Sequence, residues 1–204
     1  MFIYHWIMAR KTGSVGSETA ENIKRASLDL FAREGFAAVS MRQIADAVGL
    51  QPGALYNHFA TKQDLLREVM ASHMQQLIAA WEEESRRFPG PVEALEGFVR
   101  FHIRYHIGRS DAVFVSYMEL RNLEPENFRQ IEGMRKYYEG CLRKIVAEGV
   151  KGGQFSVADV PVAAMALIAM LTGVTAWYRT GGRLSVDEIE NIYVKMALRS
   201  LGAE

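Results

Sequence analysis

The chain has 204 residues, of which 49% are hydrophobic and 24% charged, a globular composition that excludes a largely disordered protein. Its formal net charge is zero, which argues against a protein whose whole surface binds nucleic acid. Cys141 is the single cysteine, and it has no partner for an internal disulfide, so we expect a reducing compartment such as the cytoplasm.

The N-terminal segment begins with eight largely apolar residues, MFIYHWIM, and the basic pair Arg10 and Lys11 comes after them. A secretory signal carries its basic residues first and a small-residue cleavage site afterwards, so this segment lacks the order of such a signal. Either Met8 is the true start, or residues 1–17 form an N-terminal arm in which Arg10 and Lys11 can reach phosphates.

Three helices are predicted next. Apolar residues recur every three or four positions over 18–34, which indicates an amphipathic helix. Ser40 begins a second, short helix, in which Gln43 can complete a capping box. Pro52 favours the start of a third short helix, predicted over 53–59, because the first turn of a helix tolerates a missing amide.

The rest of the chain is predicted to be helical as well. Thr61 caps a long helix whose apolar stripe continues to the Pro-Gly-Pro break at residues 89–91. Beyond it, helical spacing predicts helices over residues 91–107, 111–123, 125–150, 159–180 and 185–201. No alternating window long enough for a sheet occurs in the sequence, so the predicted fold is all-α.

Two short helices joined at residues 49–51, with a long helix directly after them, have the layout of a helix-turn-helix, whose second helix enters the major groove of DNA. Tyr56, Asn57 and His58 place hydrogen-bonding side chains on that second helix, and Gly53 lets the backbone approach the groove. The alternative is that these polar groups form the solvated face of an ordinary helical bundle.

The run over residues 40–66, SMRQIADAVGLQPGALYNHFATKQDLL, resembles the N-terminal signature of the TetR family. The matching pairs are IA, VG, LY and HF, followed by Lys62, and the upstream segment IKRASLDLFAREGFAAVS is similar to the first helix of the family. The resemblance implies a repressor that binds palindromic operator DNA as a homodimer and releases it when a small molecule binds.

The resemblance also carries the DNA-binding positions of the family over to this sequence. The candidates are Ser40, Arg42, Gln51, Pro52, Gly53, Ala54, Tyr56, Asn57, His58 and Lys62. Tyr56 and Lys62 are expected on phosphates. Ala54 departs from the pattern, because many members have Ser or Thr there, so base preference at that point does not follow by analogy.

These patterns divide the chain into three predicted parts. Residues 1–17 are the N-terminal arm, 18–64 the helix-turn-helix DNA-binding domain with three helices, and 65–204 a helical ligand-binding and dimerisation domain. Residues 175–201 resemble family members that respond to acyl-CoA thioesters. Such a ligand needs an apolar tunnel and cations for its phosphates.

The effector is expected to be a small hydrophobic molecule, with no other cofactor. The candidate ligand-binding residues are Phe101, His102, Tyr105, Phe114, Tyr117, Met118, Arg121 and Trp177. For each aromatic, plain core packing is the alternative. For the protein as a whole, the alternatives are a constitutive or activating regulator, or a different inducer such as a lipophilic efflux substrate.

His102 and His106 lie one helical turn apart, but no third metal ligand is evident, so no metal site is predicted. Both share a stripe with apolar residues and are expected on the inner face. No catalytic motif is found, so no enzymatic activity is predicted.

Residues 160–178 carry no charge, but Pro161, Thr172, Gly173 and Thr175 lower the apolarity of the stretch, so a helix buried on all sides is predicted rather than a membrane span, and no membrane partner is expected. The predicted arrangement is a four-helix bundle across a two-fold axis, built by the two C-terminal helices of each chain.

Overall fold

The structure is a computed structural model that describes residues 12–203, with side chains from residue 16 onward. No strand occurs in that range, and the predicted all-α class is confirmed. The first eleven residues of the predicted arm, with the question of Met1 or Met8, lie outside the described residues. The helices are α1 (Thr12–Glu34), α2 (Met41–Ala47), α3 (Pro52–Tyr56), α4 (Lys62–Ser85), α5 (Pro91–Ile107), α6 (Ser110–Met118), α7 (Pro125–Lys151), α8 (Val160–Thr172), α9 (Val174–Trp177) and α10 (Val186–Ser200), with a 3-10 turn at Leu120–Asn122.

Several predicted helix boundaries were wrong: the helices predicted over 53–59 and 111–123 end at Tyr56 and Met118, and two further differences are larger. Helix α1 begins at Thr12, so the end of the predicted arm is helical; this turn carries no apolar periodicity that could have signalled it. The single helix predicted over 159–180 is divided at Gly173 and ends at Trp177, where Tyr178 takes an extended conformation with ψ 139°.

One compact unit runs as far as Val69 and contains α1 to α3 with the start of α4. The predicted capping box is confirmed: Ser40 Oγ accepts from the Gln43 amide at 3.2 Å, and Gln43 Oε1 accepts from the Ser40 amide at 2.7 Å. Gly49 ends α2 with φ +69°, which favours glycine. These features fix the turn between α2 and α3.

The second compact unit runs from Met70 and contains the rest of the fold. Helix α5 is its central element, since it packs against α6, α7, α8, α9 and α10. Phe98 lies at the centre of the core, with its ring centroid 4.8 Å from that of Trp81 and 5.3 Å from that of Tyr138. The predicted inner stripe of α5 is confirmed, because Leu95, Phe98, Val99, His102 and His106 are all buried.

An apolar face of α8 and α10 is exposed on this unit. Val162 and Met165 on α8, and Ile192 and Met196 on α10, are each more than two-fifths exposed. The stretch Val160–Trp177 is long and apolar enough to cross a membrane, with mean hydropathy 1.8, and 28% of it is buried. The apolar composition of this face therefore indicates a surface that another molecule covers.

Candidate DNA-binding surface and ligand cavity

The candidate DNA-binding surface is formed by α2, α3 and the turn between them. Leu55 and Phe59 are buried and hold α3 on the unit's core. Most of the residues expected to contact DNA are accessible: Ser40, Arg42, Gln51, Gly53, Tyr56, Asn57 and His58 are exposed, whereas Pro52 and Ala54 are half-buried. Their contacts with DNA stay predictions.

Gly53 lies on the candidate DNA-binding surface, with open space around its Cα. A Cβ built on Gly53 would meet no atom of the described residues within 4 Å, and its φ is not in the left-handed region. The fold therefore does not require glycine at this position. A close approach of another molecule to the backbone is a reason for a glycine here.

Lys62 differs from the expectation that it reaches a phosphate. Its Nζ donates to the carbonyls of Phe36 at 2.8 Å and Val39 at 2.7 Å, and it lies 4.2 Å from the centroid of the Phe36 ring. Both bonds lie within the unit, so the structure gives Lys62 a role in fixing the loop before α2. A phosphate contact of Lys62 stays a prediction.

The second unit contains a cavity of about 210 Å³, which we call the histidine cavity. Helices α4, α5, α6, α7 and α8 all contribute to its wall. Its lining residues are His73, Met74, Leu77, His102, His106, Ser116, Tyr117, Glu132, Arg135, Lys136, Tyr138, Glu139 and Ile168. Because Tyr117 and Lys136 are exposed whereas the histidines are buried, the cavity opens towards α6 and α7.

The histidines of the cavity are held by hydrogen bonds and ring contacts. The rings of His102 and His106 stack with centroids 3.8 Å apart. His102 Nδ1 lies 3.2 Å from Tyr138 Oη, and its Nε2 lies 3.0 Å from Thr172 Oγ1. Tyr117 Oη also contacts Thr172 Oγ1, at 3.2 Å. This network ties α5, α6, α7 and α8 together around the cavity.

All three imidazoles are held neutral. Burial lowers the pKa of His73 to about 4, with smaller contributions from the charges of Arg109 and Arg135. Burial also lowers the pKa of His102 well below its usual range, and the neighbouring imidazoles add to the effect. For His106, burial and the charge of His73 lower the pKa to about 3, although its hydrogen bond to the His102 carbonyl opposes this. The histidine side of the wall is therefore polar but uncharged at neutral pH, whereas Glu132, Arg135, Lys136 and Glu139 add charged groups elsewhere in the lining.

Arg135 is the half-buried cation of the cavity. Its guanidinium lies 4.2 Å from the centroid of the Tyr117 ring, and Nη1 donates to the backbone carbonyl of Ser116 at 3.4 Å. Lys136 also lines the cavity but pairs with Glu132 at 3.1 Å. Positive charge near the opening thus comes mainly from Arg135.

The ligand-binding candidates from the sequence are divided among several places, and their roles stay predictions. His102 and Tyr117 line the histidine cavity, whereas Phe101 and Tyr105 line a separate groove. The remaining candidates are exposed: Phe114, Met118, Arg121 and Trp177. Trp177 lies 6.5 Å from Tyr193 of α10, ring to ring, and so belongs to the exposed apolar face of α8 and α10.

The separate groove, of about 820 Å³, is lined by several arginines, and we call it the arginine groove. Arg104 donates to both carboxylate oxygens of Glu190 at 2.8 Å. Arg87 pairs with Glu84 at 3.1 Å. Because carboxylates neutralise these guanidinium groups, the arginine groove is less suited to an anion than its composition suggests.

Several cavity residues were missed from the sequence. His73 occupies an apolar stripe of α4 between Met70 and Leu77, and a polar residue in such a stripe is a usable signal. Ser116 and Tyr138 gave none, because they join the cavity only through the packing of α6 and α7. Among the described residues, no group of three or more His, Cys, Asp or Glu is placed to share a metal ion.

A two-helix DNA-reading motif followed by a helical unit with an internal cavity defines a one-component transcription regulator. Two family sequence models match the chain: "Bacterial regulatory proteins, tetR family" over residues 23–69, and "Tetracyclin repressor-like, C-terminal domain" over residues 89–201. The chain therefore belongs to the TetR family, whose members are transcriptional regulators rather than enzymes.

Individual relatives agree with this assignment. The HTH-type transcriptional repressor KstR2 of Mycobacterium tuberculosis is 27% identical over 97% of this chain and 99% of its own length. A regulatory protein of the tetR family from Rhodococcus RHA1 has a TM-score of 0.86 at 28% identity, covering 92% of this chain and 98% of that one. The fold is also that of AibR, solved with isovaleryl coenzyme A and operator DNA, with a TM-score of 0.81 at 24% identity over 87% of this chain and 97% of that one.

Proposed function

We propose that this TetR-family repressor binds a palindromic operator as a homodimer and is released by a small acyl-CoA thioester whose acyl group enters the histidine cavity. The observation that carries the proposal is the cavity itself, formed by α4 to α8 and lined by apolar, neutral polar and charged groups. A concave site with a small number of convergent polar groups is typical of small-molecule binding.

The proposed ligand class is supported by size and charge. At about 210 Å³ the histidine cavity is smaller than the roughly 300–1,000 Å³ of sites that take drug-sized ligands, so a short acyl group suits it. The coenzyme would extend through the opening, where Arg135 can meet its phosphates. The ligand of AibR is an acyl-CoA of this kind, which makes such thioesters the first to test.

Helix α4 links the ligand to DNA in this proposal. The helix is continuous from Lys62 to Ser85, and it carries His73, Met74 and Leu77 to the cavity wall. The two recognition helices of a dimer must lie about 34–36 Å apart to read successive half-sites. A ligand that displaces α4 would change that spacing and lower the affinity for the operator.

The dimer is proposed to form through the exposed apolar face of α8 and α10. Proteins of this family dimerise, and Met165 and Ile192 are 48% and 43% exposed. The alternative interpretation of the apolar stretch in α8 and α9 is a surface that faces lipid. This alternative is less favoured because Lys195 and Arg199 interrupt the apolar residues of α10. A cytoplasmic location accompanies the proposal, since operator DNA is found there.

The interface is tested by light scattering without detergent. The wild-type protein should have twice the chain mass of 23.0 kDa, and Met165→Glu should reduce it to that of one chain. Met118→Glu is the matched control, because Met118 is 57% exposed on α6, away from the proposed interface. Recovery of the wild-type protein only in detergent would favour the alternative that this surface faces a membrane.

The regulatory function is tested by fluorescence anisotropy on DNA from upstream of the protein's own gene, at stated salt concentration. A panel of short acyl-CoA thioesters, their free acids and free coenzyme A is added. Release by thioesters alone supports the proposal. Binding that no compound alters would leave a constitutive regulator or a lipophilic inducer of another class, and it would contradict the proposed ligand.

A further inference from the structure

We infer that the histidine cavity recognises a hydroxyl group on the acyl chain, so that hydroxyacyl thioesters are preferred over plain ones. The inference rests on the proposed function and names the ligand class for the same cavity. It depends on two polar atoms of the wall, Ser116 Oγ and His106 Nε2.

Ser116 places a buried hydroxyl on the cavity wall. The residue is only 2% exposed, and its Oγ forms no hydrogen bond with any of the described residues. Its backbone carbonyl already accepts from Arg135, which fixes this part of α6 against α7. A buried hydroxyl with no partner is unfavourable, so its position on a cavity wall points to a ligand that supplies the partner.

His106 offers an acceptor of defined type. Its Nδ1 lies 2.8 Å from the carbonyl of His102, and since a carbonyl can only accept, Nδ1 carries the proton. In a neutral imidazole the other nitrogen, Nε2, is then a bare acceptor. No hydrogen bond to Nε2 occurs among the described residues.

Most of the other polar groups of the wall are already engaged. Both nitrogens of His102 have partners, as do the hydroxyls of Tyr117 and Tyr138. His73 forms no hydrogen bond within the described part of the chain and can donate to a ligand carbonyl. The wall therefore presents one acceptor that needs a donor, one hydroxyl that can donate or accept, and one imidazole for a carbonyl.

A hydroxyl group meets these requirements better than a charged group does. It can donate to His106 Nε2 and accept from Ser116 Oγ, and the thioester carbonyl can accept from His73. An ammonium cannot accept from Ser116 Oγ, and a carboxylate has no proton to donate to His106 Nε2, whereas a hydroxyl can do both.

The test compares 3-hydroxybutyryl-CoA with butyryl-CoA, which differ by the hydroxyl alone. Dissociation constants are measured by calorimetry on the full chain, together with operator release. We expect 3-hydroxybutyryl-CoA to bind at least tenfold more tightly to the wild-type protein, because a site built to pair with a hydroxyl rejects the analogue that lacks it.

Two variants locate the effect. Ser116→Ala removes a hydroxyl that has no partner within the described chain, so the fold should tolerate it, and the ratio of the two dissociation constants should fall to about threefold or less. Ser27→Ala is the matched control: it removes another buried serine hydroxyl, which bonds to the Ile23 carbonyl in the other unit, and should leave the ratio unchanged.

The outcomes separate this inference from the proposed function. Equal binding and equal operator release by the two thioesters would overturn the inference and leave the proposed function standing. An undiminished preference in Ser116→Ala would overturn the assignment to this wall. Binding of neither thioester would overturn the ligand class, and with it the inference.

Discussion

His106 Nδ1 donates a hydrogen bond to the backbone carbonyl of His102, 2.8 Å away and one helical turn earlier, while the two rings stack nearly parallel at an angle of 11°. A proton added to either ring would place a charge beside another imidazole in a buried site. His73, with its ring 6.1 Å from that of His106, adds a third such group. The cluster is therefore stable only while its members are neutral.

Acid should destabilise the protein through this cluster. The native pKa values of His73 and His106, about 4 and about 3, lie below the unfolded value of 6.5, so the unfolded chain binds protons first as the pH falls. The stabilisation is complete above pH 6.5 and is lost between pH 6.5 and about 3. Each imidazole should lower the free energy of unfolding by about 1.4 kcal/mol per pH unit in that window.

Urea unfolding at pH 7.5 and 5.5, at one protein concentration, measures this effect. His73→Asn should reduce the difference between the two free energies of unfolding by about 1.4 kcal/mol relative to the wild-type protein. His58→Asn makes the same change at an exposed residue in the turn after α3 and serves as the control. If the stability of His73→Asn kept the pH dependence of the wild-type protein, the assignment of that dependence to His73 would be contradicted.

The sequence was sufficient to predict the helices and their inner faces, because these follow from local periodicity. The stripe of α5 and the capping box at Ser40 are examples, and both are found in the structure. The cavity was harder to predict, since Ser116 and His73 belong to helices whose packing against α5 is set by non-local contacts. Trp177 is a further example: its ring lies 6.5 Å from that of Tyr193, a contact that periodicity within one helix could not predict, and its role as a ligand residue stays a prediction.

Two glycines of α7 should respond oppositely to alanine. A Cβ on Gly149 would lie 2.0 Å from the ring of Phe155, which is itself buried, so Gly149→Ala should lower the free energy of unfolding by about 1–3 kcal/mol. A Cβ on Gly133 would meet no atom of the described residues within 4 Å. Gly133→Ala should therefore raise it by about 0.5–1 kcal/mol.

Thermal or urea denaturation measures the change in the free energy of unfolding for each variant. Because both variants replace glycine with alanine in α7, the gain in helix propensity is common to both, and the difference between them reports the contact with Phe155. If both variants were stabilised, Phe155 would have to move away from α7 without loss of packing. That result would show that the contact between Phe155 and Gly149 contributes little to the fold.

Gly53→Ala should weaken DNA binding without weakening the fold. The added methyl group meets open space in the protein, so the free energy of unfolding should stay the same or rise slightly. If the backbone of α3 lies close to the operator, the methyl group should raise the dissociation constant at least tenfold. Anisotropy on operator DNA measures this, with Gly133→Ala as the control.

An unchanged dissociation constant for Gly53→Ala would mean that α3 does not bring its backbone close to DNA at this position. Asn57→Ala then shows whether α3 binds DNA at all, because Asn57 is the exposed C-cap residue of the same helix and can pair with adenine. Wild-type affinity in both variants would contradict the assignment of α3 as the recognition helix.

Arg104→Met tests the ion pair between α5 and α10. Glu190 is 2% exposed and accepts two hydrogen bonds of 2.8 Å from Arg104, so the variant leaves a buried carboxylate with only the more distant Arg100, at 3.7 Å, among the described cations. The free energy of unfolding should fall by about 1–3 kcal/mol. Arg129→Met, which breaks the exposed pair with Glu126, should cost about 0–1 kcal/mol.

A double variant separates loss of pairing from loss of packing. If the penalty of Arg104→Met comes from the stranded charge of Glu190, adding Glu190→Leu should recover much of the lost stability, because the carboxylate no longer has to be buried alone. If the penalty comes instead from the contacts of the arginine side chain, the two losses should add. Chemical denaturation of the two single variants and the double variant gives the coupling free energy between Arg104 and Glu190. A coupling free energy near zero would mean that this ion pair does not hold α10 against α5.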